Sequence, residues 1–323
     1  MSKLGVAVWG IGNHAINRIL PSLSQIQELN LIGICSRDSK KVKNVAKSFN
    51  CEGWIDFSDM LNNPKIDIVY IASPIGVHYK FALLALKAGK NVWCEKPLTC
   101  NYENTISLVH YAQENNLILE ESFMFLHHPQ FKGLEAFIKN SNYGRVHSVI
   151  CKFGIPNLEN PGFRDNPMLC GGAFWDVGSY TVSAAMALFP DKAATILFAE
   201  IKNINDSNVD RTGRVLLRFE NDISVYLEWS IGVAYRNEID IWAEKGSIYT
   251  DKIFSKPENY HPTYKIRDLK GNEHIEDIQE ADQFIEMFEG FCLNIASSKP
   301  HDKEFQKILE RSKLLDKIFT FAN

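Results

Sequence analysis

The chain carries seven cysteines but no Cys-x-x-C pair, and no cluster of cysteine and histidine at zinc-ligand spacing. A structural zinc site and a dithiol redox motif are therefore not expected, and no metal site is read from the sequence. Cys35, Cys51, Cys94, Cys100, Cys151, Cys170 and Cys292 are odd in number and irregular in spacing. Reduced, mostly buried thiols in a cytoplasmic protein are the expectation. No window approaches the roughly 20 apolar residues that span a bilayer. Met1-Ser2-Lys3 runs directly into a short apolar stretch, so neither a signal peptide nor a membrane partner is expected. A basic excess is missing too: 35 Lys and Arg against 39 Asp and Glu leave a net charge of −4. With no basic stripe either, nucleic acid is not an expected partner. Internal repeats and low-complexity tracts are absent. What is present is ordinary for a globular protein: 323 residues, 45% hydrophobic and 23% charged, enough for two domains with their own cores.

The first third alternates short apolar strands with helices. Strands are expected at 4–9, 31–35, 68–72, 91–94 and 117–119, and helices after Gly12, at 39–49, 77–88 and 99–114. Strands apolar on both faces and separated by helices make a parallel sheet covered on both sides, a doubly wound α/β domain. Beyond about residue 122 the rhythm changes. An alternating strand at 145–153 leads through a loop rich in Pro, Asn and Gly to an apolar helix at 173–189. Strands then follow without intervening helices at 214–219, 223–231, 238–243 and 246–250. That pattern predicts a mostly antiparallel sheet in an α+β domain. The polar stretch 251–272 reads as a long loop or hairpin, and two helices near 281–297 and 303–320 close the chain. The expected division is 1–122 and 123–323.

Gly10-x-Gly12-x-x-Ala15 follows the first strand and opens the first helix. Gly10 permits the turn, Gly12 lets backbone approach a pyrophosphate, and Asn13, His14 and Ala15 bring the helix N-terminus to the phosphates. At the end of the second strand an NAD site would hold a carboxylate for the ribose 2′-hydroxyl. Here Ser36 and Arg37 stand there, with Lys40 and Lys41 beyond, a set suited to a 2′-phosphate. NADPH or NADP is thus expected over NAD, although Asp38 and the lysines also suit a simple helix start. Ser73-Pro74-Ile75-Gly76-Val77-His78 and Glu95-Lys96-Pro97 lie at the ends of the third and fourth strands, where open α/β sheets place their ligands.

These segments, with Cys170-Gly171-Gly172-Ala173-Phe174-Trp175-Asp176-Val177-Gly178-Ser179-Tyr180 further on, resemble the Gfo/Idh/MocA oxidoreductases. The resemblance covers nearly the whole chain. It implies an N-terminal Rossmann domain for the nicotinamide cofactor and a C-terminal domain with an open sheet for substrate and oligomer contacts. A homo-oligomer, dimer or tetramer, follows from it. By the same resemblance Lys96 sits beside nicotinamide and substrate, and Asp176 and Tyr180 face the substrate. Two departures stand out: Cys170 replaces the first glycine of the run, and Tyr180 takes a place more often held by His. Glu121-Ser122-Phe123-Met124-Phe125-Leu126-His127-His128-Pro129-Gln130 and Phe163-Arg164-Asp165-Asn166-Pro167 look like segments of the NDP-hexose 3-ketoreductases within that family.

The implied reaction is reduction of a sugar ketone, C3 of a nucleotide-linked keto-deoxyhexose, by NADPH. Tyr180 is the candidate proton donor and Lys96 the cation that lowers its pKa or meets the carbonyl oxygen itself; the residues do not separate those roles. Asp176 is read as a sugar ligand or a partner of Lys96, or as a carboxylate that merely favours the helix dipole. Glu95, Ser73, Pro74, His78 and Arg164 complete the expected cofactor contacts. Two other readings stand beside this one: an NADP-dependent aldose or trans-dihydrodiol dehydrogenase, and a non-catalytic dinucleotide-binding regulator.

Overall fold

A computed structural model describes residues 3–204, 207–297 and 301–322; Met1 and Ser2, on which the reading of the leader rests, lie outside them. The chain divides into two compact units. One comprises Met1–Ser122 with Phe284–Ser312, the other Phe123–Gln283 with Lys313–Asn323. The segment Phe284–Ser312 thus counts with the first unit although it lies late in the sequence.

The first unit is built on strands β1 (Leu4–Trp9), β2 (Leu29–Cys35), β3 (Glu52–Trp54), β4 (Ile68–Ile71), β5 (Asn91–Glu95) and β6 (Leu119–Ser122). They form one parallel sheet in the order β3-β2-β1-β4-β5-β6. The chain reverses direction across the sheet between β1 and β4, which is the switch point where such sheets bind ligands. β1, β4 and the middle of β5 are buried on both faces, which is why they read as continuous apolar runs. The helices here are α1 (Leu20–Leu23), preceded by a π-turn at Ala15–Ile19, then α2 (Ser39–Phe49), α3 (Phe57–Leu61), α4 (His78–Lys87) and α5 (Tyr102–Glu114). Pro21 lacks the N–H that an α-helical turn would require and its ring crowds the preceding turn, so the wider π-turn ahead of it relieves both problems.

The second unit holds helices α6 (Pro129–Lys139) and α7 (Ser179–Leu188), the latter extending a π-turn at Phe174–Gly178. Its strands are β7 (Val146–Ile155), β8 (Ala194–Lys202), β9 (Thr212–Phe219), β10 (Ile223–Ile231), β11 (Arg236–Ala243), β12 (Gly246–Asp251), β13 (Thr263–Asp268) and β14 (Glu273–Asp277). They run in the order β14-β13-β12-β11-β7-β10-β9-β8, antiparallel throughout except for β7 against β10. Alternating burial along β9 and β11 marks a sheet with one covered face. The expected fold class, a doubly wound parallel sheet followed by an α+β domain with an open antiparallel sheet, is the one observed. Strands β3, β8, β13 and β14 and helices α3 and α6 are additions. β13 and the turn at Asp268–Gly271 lie in the stretch read as loop or hairpin, and β14 is exposed along its length, so it carries no apolar period.

The last two helices are α8 (Gln283–Ala296) and α9 (Asp302–Ala322). In the first unit Phe288 stacks on Trp93 at 5.7 Å and meets Tyr70 edge-on at 5.6 Å, while Phe305 and Ile308 join the core beneath the sheet. In the second unit Phe319 stacks on Phe174 at 5.8 Å. Cys35, Cys51, Cys94, Cys151 and Cys292 are free thiols. The expectation of reduced cysteines holds at these five and does not extend to Cys100 and Cys170. Among the described residues no helix is long and apolar enough to cross a membrane, and no three His, Cys, Asp or Glu side chains are grouped to hold a metal ion.

Candidate active site

In the first unit the expected cofactor residues converge on the carboxyl ends of β1, β2, β4 and β5. Gly10 turns out of β1 with φ +91°, and a Cβ there would lie 2.8 Å from the Ala72 carbonyl, so the turn admits no side chain. A Cβ at Gly12 would meet no described atom within 4 Å, which leaves its backbone open to an approaching group. Ser73, whose backbone N adjoins Gly10, has a buried Oγ with no hydrogen-bond partner among the described residues. Open backbone at Gly12, an unsatisfied hydroxyl at Ser73 and the switch point between β1 and β4 fit a bound dinucleotide. Ser36 is half-buried and Arg37 exposed just past β2. Asp38 Oδ1 accepts the Lys41 N–H at 2.9 Å, so Asp38 caps α2.

Glu95 gathers two of the expected residues, His14 and Lys96, and adds Tyr70. Its Oε1 lies 3.1 Å from His14 Nε2 and accepts the Tyr70 hydroxyl at 2.7 Å. Burial alone would favour the neutral acid. His14, Tyr70 and the neighbouring Lys96 outweigh it and hold the carboxyl down at about 2. Glu95 is therefore an anion beside the 91%-buried Lys96. The Lys96–Pro97 bond is cis. His78 is fully buried rather than lining open space. Its Nδ1 lies 3.0 Å from the Pro97 carbonyl and its Nε2 2.7 Å from the Ser73 carbonyl. Burial lowers its pKa against the pull of those two carbonyls and of Glu95. The ring thus lies between the loop after β4, with Ser73 and Pro74, and the loop after β5, with a ring nitrogen within hydrogen-bond distance of a carbonyl on each.

The second unit gathers Arg164, Asp176 and Tyr180. Asp176 is buried in the π-turn, and its Oδ2 accepts Arg164 Nε at 2.5 Å. One turn on, Tyr180 is 8% exposed. Its ring is held by Phe153 at 5.2 Å, Phe123 at 5.7 Å, Phe125 at 5.8 Å and Phe254 at 5.9 Å. Its hydroxyl reaches Met124 Sδ at 3.8 Å. Gly178 explains how this helix lies so close to the sheet: a Cβ there would stand 2.8 Å from the Trp229 ring, and Gly213 meets the same ring.

Three contacts around these segments escape a reading by motif. Asp210 Oδ2 accepts the Phe174 N–H at 2.7 Å at the start of the π-turn, and burial raises its pKa to about 6. Glu121 accepts the Leu98 N–H, and Arg311 pairs with Glu121. Nothing in local sequence links residues so far apart. His128 is fully buried: its Nδ1 accepts the Gln130 N–H at 3.0 Å, which leaves Nε2 to donate to the Ala281 carbonyl at 3.2 Å.

Residues 4–123 match the family model of an oxidoreductase family with an NAD-binding Rossmann fold, Gfo/Idh/MocA, and residues 131–249 match the C-terminal domain of the same family. A dTDP-3,4-didehydro-2,6-dideoxy-alpha-D-glucose 3-reductase of Saccharopolyspora spinosa is 32% identical over 261 residues, 81% of this chain and 78% of that protein. The chain belongs to the Gfo/Idh/MocA oxidoreductase family. Among solved structures, KijD10, a 3-ketoreductase of Actinomadura kijaniata in complex with NADP and TDP-benzene, superposes with a TM-score of 0.93. It is 26% identical, and the match covers 99% of this chain and 98% of that one. A trans-1,2-dihydrobenzene-1,2-diol dehydrogenase of Xenopus laevis is 26% identical over 77% of this chain and 76% of its own.

Proposed function

We propose that this Gfo/Idh/MocA protein reduces the C3 carbonyl of a nucleotide-linked keto-deoxyhexose with NADPH. The observation that carries the reading is the near full-length likeness to a 3-ketoreductase solved with NADP and a TDP ligand, at a TM-score of 0.93, in a chain that also holds Lys96 and Tyr180 within the family motifs. Gly10, Gly12, Asn13, His14 and Ala15 would take the pyrophosphate, Ser36 and Arg37 the 2′-phosphate, and Ser73, Pro74 and Glu95 the nicotinamide half. Bound there, NADPH supplies the hydride.

The residues of the chain manage charge and proton. A ketone oxygen becomes an alkoxide as it is reduced, and it needs a proton from a group held ready. The Tyr180 hydroxyl carries that proton, and its ring cannot swing because four aromatic rings surround it. The Lys96 ammonium stabilises the negative charge that develops on the carbonyl oxygen. Glu95, held as an anion by His14 and Tyr70, stands next to it in the chain. The Asp176–Arg164 pair presents a fixed carboxylate for a sugar hydroxyl.

The first unit is thereby the cofactor domain and the second the substrate domain. Residues 1–122 and 123–323 were the expected spans; the segment Phe284–Ser312 adds to the cofactor unit in this reading. A cytoplasmic homo-oligomer is part of the proposal. Cross-strand partners Phe198, Leu216, Tyr226 and Ile150 lie in one row on the open sheet face, with Phe198 45% and Ile150 38% exposed. A row of this kind supports burial against a second copy.

The purified protein should oxidise NADPH when given a dTDP-3,4-diketo-2,6-dideoxyhexose and should turn over free aldoses or trans-dihydrodiols with NADP poorly. The reverse preference would favour the dehydrogenase reading, to which the likeness of the Xenopus laevis enzyme lends support. NADPH binding without turnover of any of them would favour a regulator.

A further inference from the structure

We propose that Glu121 and Arg311 are positioning residues for Lys96. The proposal rests on the reading of Lys96 as the cation that serves the reducible carbonyl. Glu121 stands at the end of β6, beside β5, and is buried together with Arg311. One oxygen, Oε2, receives Arg311 Nε at 2.7 Å and Nη2 at 2.6 Å, a two-pronged contact from helix α9. The other, Oε1, accepts the backbone N–H of Leu98 at 2.7 Å. Leu98 is two residues past Lys96. Between them the Pro97 carbonyl is the one that His78 Nδ1 approaches at 3.0 Å. The chain leaving Lys96 thus packs against the His78 imidazole at Pro97 and is gripped by the Glu121 carboxylate at Leu98.

The chemistry argues for orientation rather than for packing alone. A buried ion pair can often be exchanged for apolar side chains without loss of stability. An apolar side chain at 121 cannot accept the Leu98 N–H, so the strand end would be free to turn. The backbone at Lys96 sets where its ammonium points, and a displacement of about 1 Å at a reacting group lowers turnover by about 100-fold. Arg311, 190 residues from Glu121 in sequence, fixes which oxygen is left for Leu98.

The test measures steady-state turnover of the keto-sugar nucleotide by the full-length enzyme, with NADPH affinity from fluorescence titration. Replacing the pair by methionines, Glu121→Met with Arg311→Met, should lower kcat by about 10- to 100-fold and change NADPH affinity by less than about threefold. Glu121→Gln with Arg311→Met keeps an acceptor for Leu98 and should recover most of that loss. In a Lys96→Ala background the methionine pair should change kcat by less than about twofold, since it acts through a side chain already gone. Equal losses in both backgrounds, or unchanged kcat for the methionine pair, would overturn the proposal. If the methionine pair does not fold, Arg311→Lys replaces it: a loss of about three- to tenfold with Lys96 present and none without it is expected, and equal losses overturn it. Full turnover in Lys96→Ala alone would reject the reading of Lys96 itself, before any change at Glu121 is made.

Discussion

The two units hold their proposed reactive groups by opposite means. In the first unit charge is held by charge: Lys96 follows Glu95, which His14 and Tyr70 bind, and Glu121 with Arg311 grips the strand end just beyond. In the second unit the phenol of Tyr180 is held by aromatic rings and a thioether, and the charged pair Asp176–Arg164 stands one turn away. A lysine tolerates burial only among polar partners, because its charged form needs solvation. A phenol is neutral until it reacts, so an apolar cage fixes its direction without opposing its resting state. The half that carries fixed charge therefore depends on many distant residues, whereas the half that carries the labile proton depends on local shape.

The comparison can be broken most forcefully at the reactive groups themselves. Lys96→Ala and Tyr180→Phe should each lower kcat by about 10²- to 10³-fold while NADPH affinity stays within about threefold. Either variant with intact turnover removes its half from the mechanism. A smaller effect contrasts two carboxylates on neighbouring strands. Burial raises Glu120 from 4.5 to about 8, with the Asn294 amide pulling the other way, whereas Glu95 is held at about 2. A raised acid binds more protons folded than unfolded, so Glu120 lowers stability as pH climbs from about 4.5 to 8. Glu95 does the reverse: its stabilisation is present above pH 4.5 and fades as pH falls toward 2. Glu120→Gln should accordingly stabilise the protein at pH 8 relative to its effect at pH 5 by about 3 kcal/mol, read from urea unfolding. The same difference with the opposite sign would contradict the burial of that carboxyl.

In the second half, Gly178→Ala should destabilise by about 2 kcal/mol, because its methyl would enter the Trp229 ring, and it should lower kcat as Tyr180 shifts. Unchanged thermal stability would mean that helix and sheet yield easily there. The smallest effect is expected at Arg37→Ala. It should weaken NADPH about tenfold and NADH hardly at all. Equal weakening of both would remove the 2′-phosphate from the role of Arg37.

What could be read from sequence divides along the same line. β1 and α2 appear at their expected bounds, because a strand buried on both faces and a helix with a capping Asp38 announce themselves locally. The glycine loop, Glu95-Lys96-Pro97 and the turn leading to Tyr180 were legible as motifs. The grip of Glu121 and Arg311 on Leu98 was not, since a contact across 190 residues leaves no periodic trace. The function of His78 was half legible: its place near the cofactor loops follows from the motif, but its complete burial between two carbonyls does not. Strand β8 escaped because it lies at a sheet edge with most of its side chains exposed or half-exposed, so it lacks the alternation that betrays a covered face.

The late segment that completes the first unit has a consequence for how the chain is made. When Ser122 leaves the ribosome, all six strands of the first sheet exist, yet Trp93 and Tyr70 lack Phe288, and Glu121 lacks its guanidinium. At about 5–20 residues per second, the arginine that neutralises Glu121 arrives about 10–40 s later. Through that interval the nascent sheet carries an uncovered apolar face and Glu121 lacks its partner, so the first unit is completed only after Arg311 has been made.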